Sequence, residues 1–161
     1  MVEEGAMKCF VTTRWLTAAG VIVAAVLAGA APVQAADSPV GTWLKKEANG
    51  KTSMTMTIEK WGDSAKLIYH IKDPPIVLTI ASALDGSESP VLMNGKPSGE
   101  TMAIKLVDKM HSVTIVKMGG KPFGTSKGTF SPDFNTLTVE NDFPAAAGGA
   151  AGKTTEHWVR K

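Results

Sequence analysis

From Ser53 onward the chain alternates, residue by residue, between apolar and polar side chains, and turn-forming pairs interrupt it at regular intervals. Met54, Met56 and Ile58 share one parity, with Ser53, Thr55, Thr57 and Glu59 on the other. Ala65, Leu67, Tyr69 and Ile71 alternate with Lys66, Ile68, His70 and Lys72. Ile76, Leu78 and Ile80 continue the pattern, and Met102, Ile104 and Leu106 oppose Thr101, Ala103 and Lys105. His111, Val113, Ile115 and Lys117 form one side of a further segment. A period of two puts alternate side chains on opposite faces of a strand. No window after residue 36 carries a helical period.

Turn signals separate these segments: Asn49-Gly50, Trp61-Gly62-Asp63, Asp73-Pro74-Pro75, Asp85-Gly86, Asn94-Gly95, Asp108-Lys109, Gly119-Gly120 and Ser131-Pro132-Asp133. Spacing of about 8–12 residues between such signals marks an all-β sandwich or barrel. The short connections require antiparallel neighbours, because a parallel crossover needs a dozen residues or more. The expected fold is an all-β, antiparallel up-and-down meander of about eight or nine strands, closing into a barrel that removes exposed edges. Two segments read as loops. Residues 85–100 hold Pro90, Pro97 and several glycines, with a short strand at Val91-Leu92. Residues 143–152 are rich in alanine and glycine and read as a mobile loop, because each glycine costs about 1 kcal/mol in a helix.

The N-terminus reads differently. Lys8 and Arg14 precede an apolar run from Trp15 to Ala31, Pro32 breaks it, and Val33-Gln34-Ala35 offers the small residues that signal peptidase reads. A cleavable signal peptide over residues 1–35 is expected, leaving one domain over residues 36–161 in the periplasm or the medium. The apolar run is short for a membrane span, so no stable span is expected after cleavage. Glu3 and Glu4 are atypical of a leader, and Met7 is the better start of one. Cys9, the single cysteine, would leave with the leader, so neither a disulfide nor a thiolate metal site is expected in the mature domain. The formal net charge of +2 is unchanged by removing Glu3, Glu4, Lys8 and Arg14. The basic residues form no dense stripe, which argues against a nucleic-acid partner.

Gly41-Thr42-Trp43 opens the first strand and Arg160 ends the last. This pairing resembles the calycin group, the lipocalins and fatty-acid-binding proteins. The resemblance implies that Trp43 plugs one end of the barrel and that Arg160 lies across its ring. Further elements are similar to those of small secreted bacterial lipocalin-like proteins: Asp85-Gly86 followed by Pro90, Gly119-Gly120-Lys121, Gly124-Thr125-Ser126, Ser131-Pro132-Asp133 and Leu137-Thr138-Val139. That likeness implies fold and export, and no reaction. The chain departs from the group in having no disulfide, no C-terminal helix and no helical pair after the first strand, which points to a smaller, flattened or incompletely closed barrel.

No nucleophile elbow is present, and His70, His111 and His157 lie on three strands with no coupling to an acid, so an enzyme is not expected. Met54, Met56, Met93, Met102, Met110 and Met118 raise Cu(I) as a soft-ligand alternative, yet methionine is ordinarily an adaptable core filler. Haem occurs in some calycin-like barrels, but nothing selects a histidine here. No cofactor is expected. An eight-stranded barrel either fills its interior or holds one small ligand. The expected interior positions are Met54, Met56, Leu67, Tyr69, Met102 and Ile104, with Tyr69 and Trp61 near an open end. Ala65, Ala81, Ala83, Gly124 and Gly128 are expected to leave room, and residues 85–100 and 143–152 to act as a lid. The expected function is an exported, monomeric carrier of a small hydrophobic ligand. The alternative is a non-enzymatic structural or protein-interaction barrel of the cell envelope with a filled core.

Overall fold

The structure, a computed structural model, describes residues 37–144 and 152–161. The expected leader, its expected Ala35–Ala36 cleavage point and Cys9 lie outside the described residues, as do residues 145–151 of the expected mobile loop.

Ten strands follow one another: β1 (Gly41–Lys46), β2 (Thr52–Lys60), β3 (Ala65–Ile71), β4 (Ile76–Ser82), β5 (Asp85–Met93), β6 (Lys96–Leu106), β7 (His111–Met118), β8 (Lys121–Phe130), β9 (Thr136–Phe143) and β10 (Gly152–Arg160). Each pairs antiparallel with the next, and β1 pairs with β10, so the meander closes into a barrel. Trp43 stands opposite Arg160 in the closing ladder and opposite Met56 in β2.

Ten strands arise, where eight or nine were expected, because residues 85–100 are wall and not a loop or lid. Asn94 (φ 49°) and Gly95 (φ 79°) are both left-handed, the geometry of a tight two-residue hairpin, and they set Met93 opposite Lys96. Pro90 is accommodated because the β5–β6 register shifts beside it, between Pro90 and Leu92, and shifts again between Asp85 and Glu88.

One end of the barrel is filled with aromatic rings. Trp43 is fully buried, and its indole N–H donates to the Pro39 carbonyl at 2.9 Å. Phe130 lies 5.5 Å from Trp43, 5.4 Å from Trp61 and 5.8 Å from Phe134, centroid to centroid. Two residues of the connecting turns complete this base. Leu84 (φ 60°) and Phe134 (φ 50°) adopt left-handed backbone, a conformation costing about 1–3 kcal/mol outside glycine. Both are buried, so apolar burial offsets that strain.

Candidate ligand-binding site

Above the aromatic base the barrel encloses a cavity of about 260 Å³. Its position follows from parity. On β2 and β3 the inward residues are Met54, Met56 and Ile58, then Leu67 and Tyr69; on β4 Leu78 faces them, and β6 adds Met102 and Ile104. The six residues expected at a binding site, Met54, Met56, Leu67, Tyr69, Met102 and Ile104, therefore line one space. Trp61 also lines it, but at the closed end against Phe130 and not at an open one. The turn after β2 folds back over the same base that Trp43 fills. Ala81 and Ala83 are exposed, because β4 directs Leu78, Ile80 and Ser82 inward.

The wall formed by β7 to β10 mixes polar side chains with apolar ones such as Val116, Val139 and Trp158. Ser112 and Thr114 of β7, Ser126 of β8, Asn141 of β9 and Glu156 of β10 all line the cavity. On β7 the face carrying Val113 and Ile115 is the outer one, and Ile115 is 43% exposed. Two glycines make this wall possible. A Cβ on Gly128 would lie 2.7 Å from the Ser112 hydroxyl, and one on Gly124 would lie 2.2 Å from the Phe143 ring. The room expected at these glycines is therefore taken by Ser112 and Phe143.

The Ser126 hydroxyl donates to the Asn141 side-chain oxygen at 2.7 Å. Glu156 accepts from the Lys45 ammonium at 2.9 Å and from the Trp158 indole N–H at 3.1 Å. Tyr69 packs edge-on against Trp158, with ring centroids 6.1 Å apart. Burial pushes the Tyr69 phenol well above its ordinary range, and the nearby Glu156 carboxylate pushes it further. These polar residues were missed in the sequence, although one signal was present. Glu156 shares parity with Trp158 and Arg160, so an inward tryptophan carries the glutamate inward with it.

Trp43 and Arg160 are brought together at the base. The guanidinium carbon lies 5.1 Å from the Trp43 ring centroid. Its nitrogens donate to the carbonyls of Phe134, Val40 and Ser38 at 2.8, 2.7 and 2.5 Å. None of the three histidines lines the cavity. His70 and His157 are exposed on outward positions, whereas His111 is coupled to an acid after all. Its Nδ1 lies 2.8 Å from Asp108, which also accepts the Met110 and His111 backbone N–H groups. The turn between β6 and β7 creates that pair from residues three apart, on the surface and away from the cavity. Among the described residues no group of three His, Cys, Asp or Glu is placed to hold a metal ion.

No family model and no curated protein sequence matches the chain. Among solved structures, a single-site variant of the fluorescent protein UnaG is similar, with a TM-score of 0.55 and 17% identity over 76% of this chain and 95% of the other. That likeness shows a shared antiparallel β-barrel fold. The barrel combines a mostly apolar lining with a few polar side chains on β7 to β10, and no helix occurs among the described residues.

Proposed function

We propose that this chain is an exported binding protein for a small hydrophobic ligand, held in the barrel cavity by Met54, Met56, Leu67, Tyr69, Met102 and Ile104. One observation carries the reading: the interior is not filled, although the base beneath it is densely packed with aromatic rings. A barrel serving only as a scaffold or as an interaction surface gains nothing from an empty centre, since unfilled volume forfeits dispersion contacts. The methionine thioethers are flexible and polarisable, which suits them to adapt to a guest. A volume of about 260 Å³ admits about ten to fifteen non-hydrogen atoms at the packing density of protein interiors. Among the described residues, no histidine or cysteine lines the cavity beside the serines, which favours binding over nucleophilic catalysis. The similarity to UnaG is consistent with a binding barrel.

Export rests on Lys8, Arg14, the apolar run and Val33-Gln34-Ala35, which support a mature domain in the periplasm or the medium. N-terminal sequencing of protein recovered outside the cytoplasm is expected to begin at Ala36, and a mature protein retaining residues 1–35 would remove this part of the proposal. Binding is tested by titrating small apolar molecules such as naphthalene against intrinsic tryptophan fluorescence, because Trp61 and Trp158 both line the cavity. Saturable quenching or enhancement, abolished in a Leu78→Trp variant that fills the space, is the expected result. A flat response across hydrocarbons, alcohols and amines would favour the scaffold reading.

A further inference from the structure

The cavity's charge balance restricts its ligand, given the binding role proposed above. Among the described residues, Glu156 is the single charged residue lining it. Both of its carboxylate oxygens are engaged, one by Lys45 and one by the Trp158 indole. Lys45 is itself not part of the lining, so among the described residues no cation lines the space. An anion entering here would lose its hydration without gaining a counter-charge, next to a carboxylate that repels it. Tyr69 already experiences both penalties: burial and Glu156 each disfavour its ionised form. Any acidic head group placed beside it would meet the same field.

Neutral polar groups, in contrast, are available. Among the described residues, the hydroxyls of Ser112 and Thr114 make no side-chain hydrogen bond to the protein. Asn141 uses its oxygen to accept from Ser126, which leaves its amide N–H groups to donate to a guest. Ser112 and Thr114 sit on β7 and Asn141 on β9, with Ser126 of β8 between Thr114 and Asn141 in register, and they line the same cavity as Met54 and Met56 of β2. The arrangement matches a compact molecule with an apolar body and one uncharged oxygen.

We propose that the cavity selects uncharged amphiphiles, meaning medium-chain alcohols or carbonyl compounds whose oxygen meets Ser112, Thr114 and Asn141, over fatty-acid anions. Calorimetric titration of the purified protein at pH 7 with 1-decanol, decanoate, decylamine and decane tests this. Decanol is expected to bind at least about tenfold more tightly than decanoate, and more tightly than decane by about three- to tenfold, the range of one or two neutral hydrogen bonds. Thr114→Val and Asn141→Leu are expected to weaken decanol more than decane. Glu156→Gln is expected to narrow the decanol-to-decanoate ratio by at least about threefold.

Decanoate binding as tightly as decanol would overturn the proposal while leaving a binding role intact. So would decylamine binding most tightly of all, because the Glu156 charge would then be the recognition element. Equal affinity for decane and decanol would show that the polar wall is unused, and would overturn it too. Failure of all four molecules would remove the binding role on which the proposal rests.

Discussion

Arg160 and Trp43 are cross-strand partners in the ladder that closes the barrel, and the guanidinium lies 5.1 Å from the indole centroid. The same guanidinium donates to carbonyls on both sides of the seam, from Ser38 and Val40 before β1 and from Phe134 before β9. Gly41 permits the approach, since a Cβ there would lie 3.0 Å from the Arg160 Nη1. One planar cation thus fastens three segments over the aromatic plug.

Removing the plug is expected to be costly. Trp43→Ala should destabilise the protein by about 3–5 kcal/mol, as for other large buried aromatic residues. Arg160→Lys should cost about 1.5–3 kcal/mol despite keeping the charge, because an ammonium cannot reproduce a fork that reaches three carbonyls. Urea unfolding midpoints measure both; a lysine variant as stable as the parent would show that the fork contributes nothing.

The two interior glycines are expected to respond differently to rescue. Gly128→Ala pushes a methyl group against the Ser112 hydroxyl at 2.7 Å, and should destabilise by about 1–3 kcal/mol. Adding Ser112→Ala should restore most of that loss. Gly124→Ala meets both the Phe143 ring at 2.2 Å and the Asp142 carbonyl at 2.9 Å, so Phe143→Ala should restore only part. Double-mutant cycles separate the two cases, and equal rescue at both sites would contradict the assigned contacts.

Tyr69 is the only tyrosine in the chain, which makes its ionisation directly readable by tyrosinate absorbance. Burial and Glu156 raise its pKa above the ordinary 10.0. The folded state therefore keeps its proton at a pH where the unfolded state has lost it, and stability falls as pH rises beyond 10. The absorbance change is expected to coincide with alkaline unfolding, and a titration near pH 10 in the still-folded protein would place the phenol in water.

Acid acts on the opposite limb. Hydrogen bonds from the Ser131 hydroxyl, the Asn135 backbone N–H and the Asn135 amide hold the Asp133 carboxyl below its ordinary 3.8. Its unfolded form thus takes up a proton first, so its contribution is complete above pH 3.8 and is lost as pH falls through the lower folded value. Asp133→Asn is expected to lower the melting midpoint at pH 6 and to converge on the parent as the pH approaches 2. A constant difference between the two across that range would assign the effect to something other than ionisation.

Much of the cavity lining was legible in the sequence because parity is a local property. Once Met54, Met56, Leu67, Tyr69, Met102 and Ile104 are read as strand residues on apolar faces, enclosing the sheet brings them to one interior. The plug was legible for a related reason: a buried tryptophan and a terminal arginine each announce themselves by type and position. The segment from Asp85 to Glu100 was not legible. Its prolines and glycines carry the composition of a loop, and only pairing with β4 and β6 accommodates them at register shifts.

The sequence alone determined that this is an antiparallel β meander, since a two-residue period and frequent tight turns leave few other ways to bury its apolar side chains. Alternation sorts side chains into two sets without saying which set lies inside. Tertiary structure made that choice on β7, where Ser112 and Thr114 turn inward while Val113 and Ile115 face out. It also joined Lys45 to Glu156 across 111 residues and brought Trp61 beneath Phe130. The physical reason is closure: pairing β1 with β10 assigns every strand an inner face at once, and the contacts across the interior depend on register between segments that no local pattern connects.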